Sequence, residues 1–146
     1  MVRPLYTIGY EGKQIDSFVK LLKNSSIECL VDVREIPLSR KPGFSKTALS
    51  QRLDKENIKY IHLKELGSPK ELRNKLKTDH NFKVFFEKMG LYLNQKHEAI
   101  RFVSSHTKNH SCCLMCFESE ATQCHRNVVA TKIIEEADNT LRIANL

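Results

Sequence analysis

A chain of 146 residues with 24 basic and 17 acidic side chains carries a formal net charge of +7 and suits a single domain, 1–146. Apolar residues at 40% and charged residues at 28% exclude a disordered or low-complexity chain, and this length buries a real core without staples. No apolar run approaches the ~18 residues that cross a bilayer. Five cysteines are an odd number and too few for a disulfide scaffold, so the expectation is free thiols in a reducing cytoplasm and no membrane partner.

Leu5-Tyr6-Thr7-Ile8, ending at Gly9, predicts a strand. Ile15, Phe18, Val19 and Leu22 recur at helical spacing and predict a helix over 15–24. Cys29 to Val33 reads as a second strand. Pro37, Pro42 and Gly43 make 35–44 a loop, after which Ser45 can cap a helix carrying Ala48, Leu49 and Leu53. Ile58 to Leu63 predicts a third strand. Ser68-Pro69-Lys70-Glu71 has the signals of a helix start, with Ser68 as the cap. Residues 81–104 predict one long helix or two shorter ones, with Phe82, Phe85, Phe86, Met89, Leu93 and Ile100 inward. Ser111 to Phe117 is a buried fourth strand, residues 124–137 a final helix, and Leu141-Arg142-Ile143 a last short strand.

This alternation argues for the α/β class, a mostly parallel sheet with helices on both faces. Open parallel sheets bind ligands at the carboxyl ends of their strands. Those positions here are polar or ionisable: Tyr10 and Glu11 after the first strand, Asp32 and Arg34 at the second, His62 and Glu65 at the third, and Cys116, Glu118 and the loop to Cys124 at the fourth.

Cys116-Phe117-Glu118 followed by Cys124-His125-Arg126 is the densest cluster. The start of a helix offers free N–H groups and a positive dipole, which favour an anion and lower the pKa of a cysteine there. Cys124 is therefore the expected nucleophile, with Glu118 and His125 as acid/base groups. Cys116 is intermediate, because Glu118 opposes a thiolate. As alternatives, both cysteines are small core residues. A zinc reading of Cys113-x-x-Cys116 with Cys124-His125 meets an objection: residues three apart on a strand face opposite ways. The expectation is no metal and no cofactor. An Arg two residues after Cys124 does not match a cysteine-phosphatase loop, and no Walker loop or Gly-x-Gly-x-x-Gly is present.

The charge excess sits in residues 34–77, with 12 basic and 5 acidic side chains. Arg34 and Arg40 bracket the loop after the second strand and can grip phosphate or carboxylate, or Arg34 can pair with Asp32 or Glu118. Asp32 is a buried partner of such an arginine or an acid/base group. His62 is a proton carrier or a hydrogen-bonded structural residue.

Read together, Tyr6-Thr7-Ile8-Gly9-Tyr10, Leu30-Val31-Asp32-Val33-Arg34, Ser39-Arg40, Pro42-Gly43-Phe44, Tyr60-Ile61-His62-Leu63, Glu65-Leu66-Gly67, Leu114-Met115-Cys116-Phe117-Glu118 and Cys124-His125-Arg126 resemble the prokaryotic family catalogued as domain of unknown function 488. The resemblance runs over residues 6–126. It implies that Tyr10, Asp32, Arg34, Arg40, His62, Glu118, Cys124, His125 and Arg126 are motif positions and assigns them no roles. The expected function is a small hydrolase-like enzyme acting on an anionic small molecule or a nucleic-acid component. Tyr10, Asp32, Arg34, Arg40, His62 and Arg126 would bind the substrate. The alternatives are a non-catalytic nucleic-acid-binding module using 34–77 and a ligand sensor without turnover.

Overall fold

The computed structural model describes residues 2–120 and 124–146. Residues 121–123, part of the loop expected before Cys124, lie outside the described residues. The elements in chain order are β1 (Arg3–Gly9), α1 (Ile15–Asn24), β2 (Cys29–Asp32), α2 (Lys46–Asp54), β3 (Lys59–His62), α3 (Lys70–Asp79), α4 (Phe82–Leu93), α5 (His97–His106), β4 (Cys112–Cys116), α6 (His125–Glu136) and β5 (Leu141–Asn145). A short 3-10 turn over Lys64–Leu66 follows β3. Among the described residues no helix is long and apolar enough to cross a membrane.

Among the described residues five strands form one sheet in the order β3-β2-β4-β1-β5, and every pairing is parallel. The central strands β2 and β4 are short and rich in cysteine and aliphatic residues, whereas the edge strands β3 and β5 carry Lys59, His62, Arg142 and Asn145. In β2 and β4 every residue is buried, as expected of strands covered on both faces. Side-chain alternation splits the core in two. Ile8, Leu30, Cys113 and Met115 pack with Phe18, Val19 and Leu22 of α1 and with Leu49 and Leu53 of α2. Leu5, Val31, Leu114 and Cys116 pack on the other face with Met89 and Leu93 of α4, Ile100 and Val103 of α5, and Val129 and Ile133 of α6. Cys113 and Cys116 thus belong to opposite faces.

Local chemistry accounts for the element ends. Helix α1 has Asp16 in its first turn and Lys23 in its last, which suits the helix dipole. Asn81 caps α4, its side chain accepting from the Val84 N–H at 3.2 Å. The segment 81–104 breaks into two helices at Asn94-Gln95-Lys96. There the N–H groups of Gln95 and Lys96 bond back three residues, to Tyr92 and Leu93. Helix α3 starts one residue later than the sequence predicts. Pro69 is extended (φ −59°, ψ 145°) and takes the cap position expected of Ser68. The last strand reaches Asn145, because Arg3–Thr7 of β1 pairs with Leu141–Asn145 along its whole length.

The register aligns the strand ends. Gly9 lies opposite Cys116, and Asp32 lies opposite both Met115 and His62. Gly9 is required by close approach: a Cβ there would overlap the Glu118 carbonyl and press on Arg126 Nη1. The chain leaving β4 therefore folds tightly over the end of β1.

Candidate functional site

A cavity of about 210 Å³ opens at the carboxyl ends of the strands. Tyr10 after β1, Arg34 and Glu35 after β2, Ser68 and Arg73 at α3, Cys116 and Glu118 at the end of β4, and His125 at the start of α6 line it. Three exposed apolar side chains, Ile36, Leu38 and Phe117, form its rim.

One wall is a buried ion pair. Asp32 is fully buried and Arg34 is 7% exposed. Arg34 donates from Nη2 to Asp32 Oδ2 at 2.7 Å and from Nε to Oδ1 at 2.9 Å. Its main-chain N–H donates to Oδ1 at 3.1 Å, and the Tyr60 hydroxyl donates to Oδ2 at 2.6 Å. The remaining Arg34 group, Nη1, donates to the Phe44 carbonyl at 2.7 Å and to the Tyr10 hydroxyl at 3.3 Å. These bonds to Asp32 outweigh the burial of the guanidinium and push the Arg34 pKa above its ordinary value. Burial and the Asp32 carboxylate push the Tyr60 hydroxyl up as well, so it stays a donor. Tyr10 stacks on Phe44 (centroids 4.6 Å) and meets Phe117 edge-on at 5.4 Å. Most of Arg34's hydrogen-bonding capacity therefore goes into shaping the wall.

Another part of the lining holds sulfur and imidazole. Cys124 caps α6, its sulfur accepting from the Arg126 N–H at 3.4 Å. The Cys116 and Cys124 sulfurs touch, with their Cα atoms 7.6 Å apart. The expectation of five separate thiols is corrected accordingly: Cys29, Cys112 and Cys113 alone are free. The approach follows from placement, since Cys116 ends a strand and Cys124 begins the helix packed across it. His125 Nε2 lies 2.8 Å from the Val33 carbonyl, which can only accept, so Nε2 carries the proton and Nδ1 is a bare lone pair. That lone pair faces Cys124 Sγ at 3.8 Å. Burial holds the imidazole neutral, lowering its pKa to about 4.

Arg126 is completely buried. Its Nη1 lies 3.2 Å from Cys116 Sγ and also donates to the Glu118 carbonyl, and Nη2 donates to the Ser119 carbonyl at 3.2 Å. Nε has no partner among the described residues. Glu118 Oε2 lies 3.6 Å from Cys116 Sγ, and burial pushes the Glu118 carboxyl above its ordinary range.

Tyr10, Arg34, Glu118 and His125 thus come together around one cavity, while Asp32 stands directly behind Arg34. Cys116 and Cys124 are equally buried, and of the two only Cys116 lines the cavity. Arg126 supports the wall from inside. Arg40 is exposed and does not line the cavity. His62 bonds through Nε2 to the Arg34 carbonyl at 2.8 Å and holds the loop. Sequence reasoning missed Arg73, Glu35 and Ser68. Arg73 pairs with Glu35 at 2.8 Å and donates to the Ser68 carbonyl, which ties α3 to the loop after β2. The Ser68-Pro69 helix start placed α3, but nothing local said that Arg73 turns toward the strand ends.

Fold and site define a parallel α/β protein with a polar cavity at its strand ends and a sulfur–imidazole cluster in the cavity wall. A family model described as "Domain of unknown function DUF488" matches residues 14–133, and the chain belongs to that family. No curated protein and no solved structure matches it.

Proposed function

We propose that the protein is a small hydrolase-type enzyme that takes an anionic substrate of the nucleotide class into the cavity at the strand ends. The observation that carries this reading is the charge arrangement at Cys116. Asp32 neutralises Arg34 and Glu35 neutralises Arg73, but Arg126 is buried with no ion pair among the described residues. A buried, unneutralised guanidinium behind the wall favours negative charge at the wall. Glu118, with its carboxyl pushed up by burial, is suited to take a proton from a water nucleophile and return it to the leaving group. The exposed apolar rim of Ile36, Leu38 and Phe117 suits a planar base next to the anionic group. His125 turns its free nitrogen to the Cys124 sulfur, and Cys124 is not among the residues that line the cavity. We place the activity in the cytoplasm, where the three free buried thiols persist.

The test is a panel of nucleoside phosphates and simple phosphate and carboxylate esters, read by product release and by thermal shift. Expected are turnover of at least one and its loss in Glu118→Gln, with the thermal shift retained. A thermal shift without turnover reduces the protein to a ligand sensor, and neither signal overturns the reading altogether. A second reading, a nucleic-acid-binding module, draws on the exposed Lys70, Lys75 and Lys77 of α3. It requires DNA or RNA binding that weakens steeply with salt and disappears when Lys46, Lys70 and Lys75 are reversed to Glu.

A further inference from the structure

We propose that Cys116, Cys124 and His125 form a site for one thiophilic divalent cation, zinc above all, with a fourth position open to the cavity. Their donor atoms, two sulfurs and one ring nitrogen, lie within 4.8 Å of one another and all three residues are buried. Three protein ligands of the Cys/His type with one open position is the pattern of catalytic zinc.

Three observations converge on an ion as the occupant. The first is the backbone spacing. The 7.6 Å between the Cα atoms of Cys116 and Cys124 exceeds the roughly 4.4–6.8 Å that disulfides span. Two thiolates on one tetrahedral ion, each at ~2.3 Å, hold their sulfurs roughly 3.8 Å apart, which suits the wider backbone. The second is the imidazole. Its Nε2–H is anchored on the Val33 carbonyl and its Nδ1 lone pair faces the Cys124 sulfur, with all three donor atoms within 4.8 Å of one another. A backbone carbonyl fixing one ring nitrogen so that the other can coordinate is the usual support of a metal-bound histidine. The third is the set of N–H groups around the sulfurs. Arg126 offers its main-chain N–H to Cys124 Sγ at 3.4 Å and its Nη1 to Cys116 Sγ at 3.2 Å. Metal-bound thiolates accept such bonds.

Charge sets what fills the open position. A divalent ion and two thiolates sum to zero, and binding releases the two thiol protons. The Arg126 charge remains, so the cluster favours an anion at the fourth position: hydroxide, the Glu118 carboxylate or a substrate oxygen. Cys116 and His125 line the cavity, and Glu118 Oε2 stands 3.6 Å from the Cys116 sulfur. The objection raised against Cys113 does not reach this site, because Cys113 packs on the other face of the sheet and is not needed.

The site shares its cavity with the proposed hydrolysis but does not depend on turnover, so the test uses the metal alone. The full chain is reduced, its five thiols are counted, resident metal is removed with a chelator, and Co2+ is titrated as a spectroscopic probe. Expected is one cobalt per chain, with sulfur-to-cobalt charge transfer and intense tetrahedral visible bands, both bleached by Zn2+. Cys116→Ser and Cys124→Ser should each weaken the charge-transfer band and the affinity, whereas Cys113→Ser should keep both. If the serine variants do not fold, the wild-type spectrum and stoichiometry decide alone. A reduced, folded protein that gives no such spectrum overturns the proposal. So does a spectrum unchanged in both variants, or a Cys116–Cys124 disulfide that persists under reductant. Metal binding without turnover of any substrate would overturn only the hydrolase reading.

Discussion

The guanidinium of Arg126 stands 3.2 Å from the Cys116 sulfur in the interior of the protein, and no ion pair among the described residues neutralises it. A cation this close favours negative charge on the Cys116 sulfur, and the Glu118 carboxyl 3.6 Å away opposes it. The sulfur that the sequence singles out, Cys124, has instead a neutral imidazole and a main-chain N–H beside it.

In the reduced, metal-free protein, a brief pulse of alkylating reagent at neutral pH should label Cys116 before Cys124. Cys29, Cys112 and Cys113 should react only on unfolding, and burial pushes the Cys113 thiol up in addition. Arg126→Gln should slow labelling of Cys116, and Arg126→Lys should largely preserve it. Mass spectrometry of the peptides gives the order. Cys116 labelling no faster than Cys113 would remove the argument for a thiolate.

Asp32 and Arg34 should be among the most sensitive positions for stability. Asp32→Ala leaves a nearly buried guanidinium unpaired and also strips the Tyr60 hydroxyl of its acceptor. The expected cost is about 3–5 kcal/mol in urea denaturation. A loss below about 1 kcal/mol would mean that water reaches Arg34 and that the wall is not rigid.

His125 should make the protein acid-sensitive. Its folded pKa, about 4, lies below the ~6.5 of the unfolded chain, so unfolding takes up a proton as the pH falls. The associated stability is fully present above about pH 6.5 and is lost progressively down to about pH 4, roughly 3 kcal/mol in all. Denaturation midpoints of chelator-treated protein across this range, compared with His125→Gln, check it. The variant should show a flatter profile, and parallel profiles would contradict the assignment.

Glu118 has the opposite sign. Burial raises its folded pKa, so its contribution favours the folded state at low pH and is lost as the pH rises through that value. At neutral pH the carboxylate is a cost. Glu118→Gln should therefore raise the thermal midpoint at pH 7 and lose that advantage near pH 4. A variant less stable at pH 7 would show that the carboxylate is needed structurally.

Periodicity and strand composition made the order of elements legible, because β1, β2 and β4 are apolar runs and α1 and α4 present one apolar face each. The strand-end rule brought Tyr10, Arg34 and Glu118 to one place. Which sulfur faces the cavity was not legible. That depends on how α6 crosses the end of β4, and Cys124 as helix cap turns its sulfur inward onto Cys116. Arg40 and Arg73 look alike in sequence as members of one basic stretch. They differ only because Glu35 and the Ser68 carbonyl draw Arg73 to the strand ends, while Arg40 stays in an exposed loop.

The strand order has a consequence for synthesis on the ribosome. Both neighbours of β1 are late elements: β4 begins at residue 112 and β5 at residue 141. A nascent chain can pair β2 with β3 early, but β1 has no partner until residues 112–116 of β4 have been made. Parallel pairing across such a separation is slow, and the waiting apolar strand is exposed to chaperones and to other chains. Cys116, Glu118 and the start of α6 arrive with the strand that closes the sheet. The protein therefore acquires its chemistry and its fold in one late event.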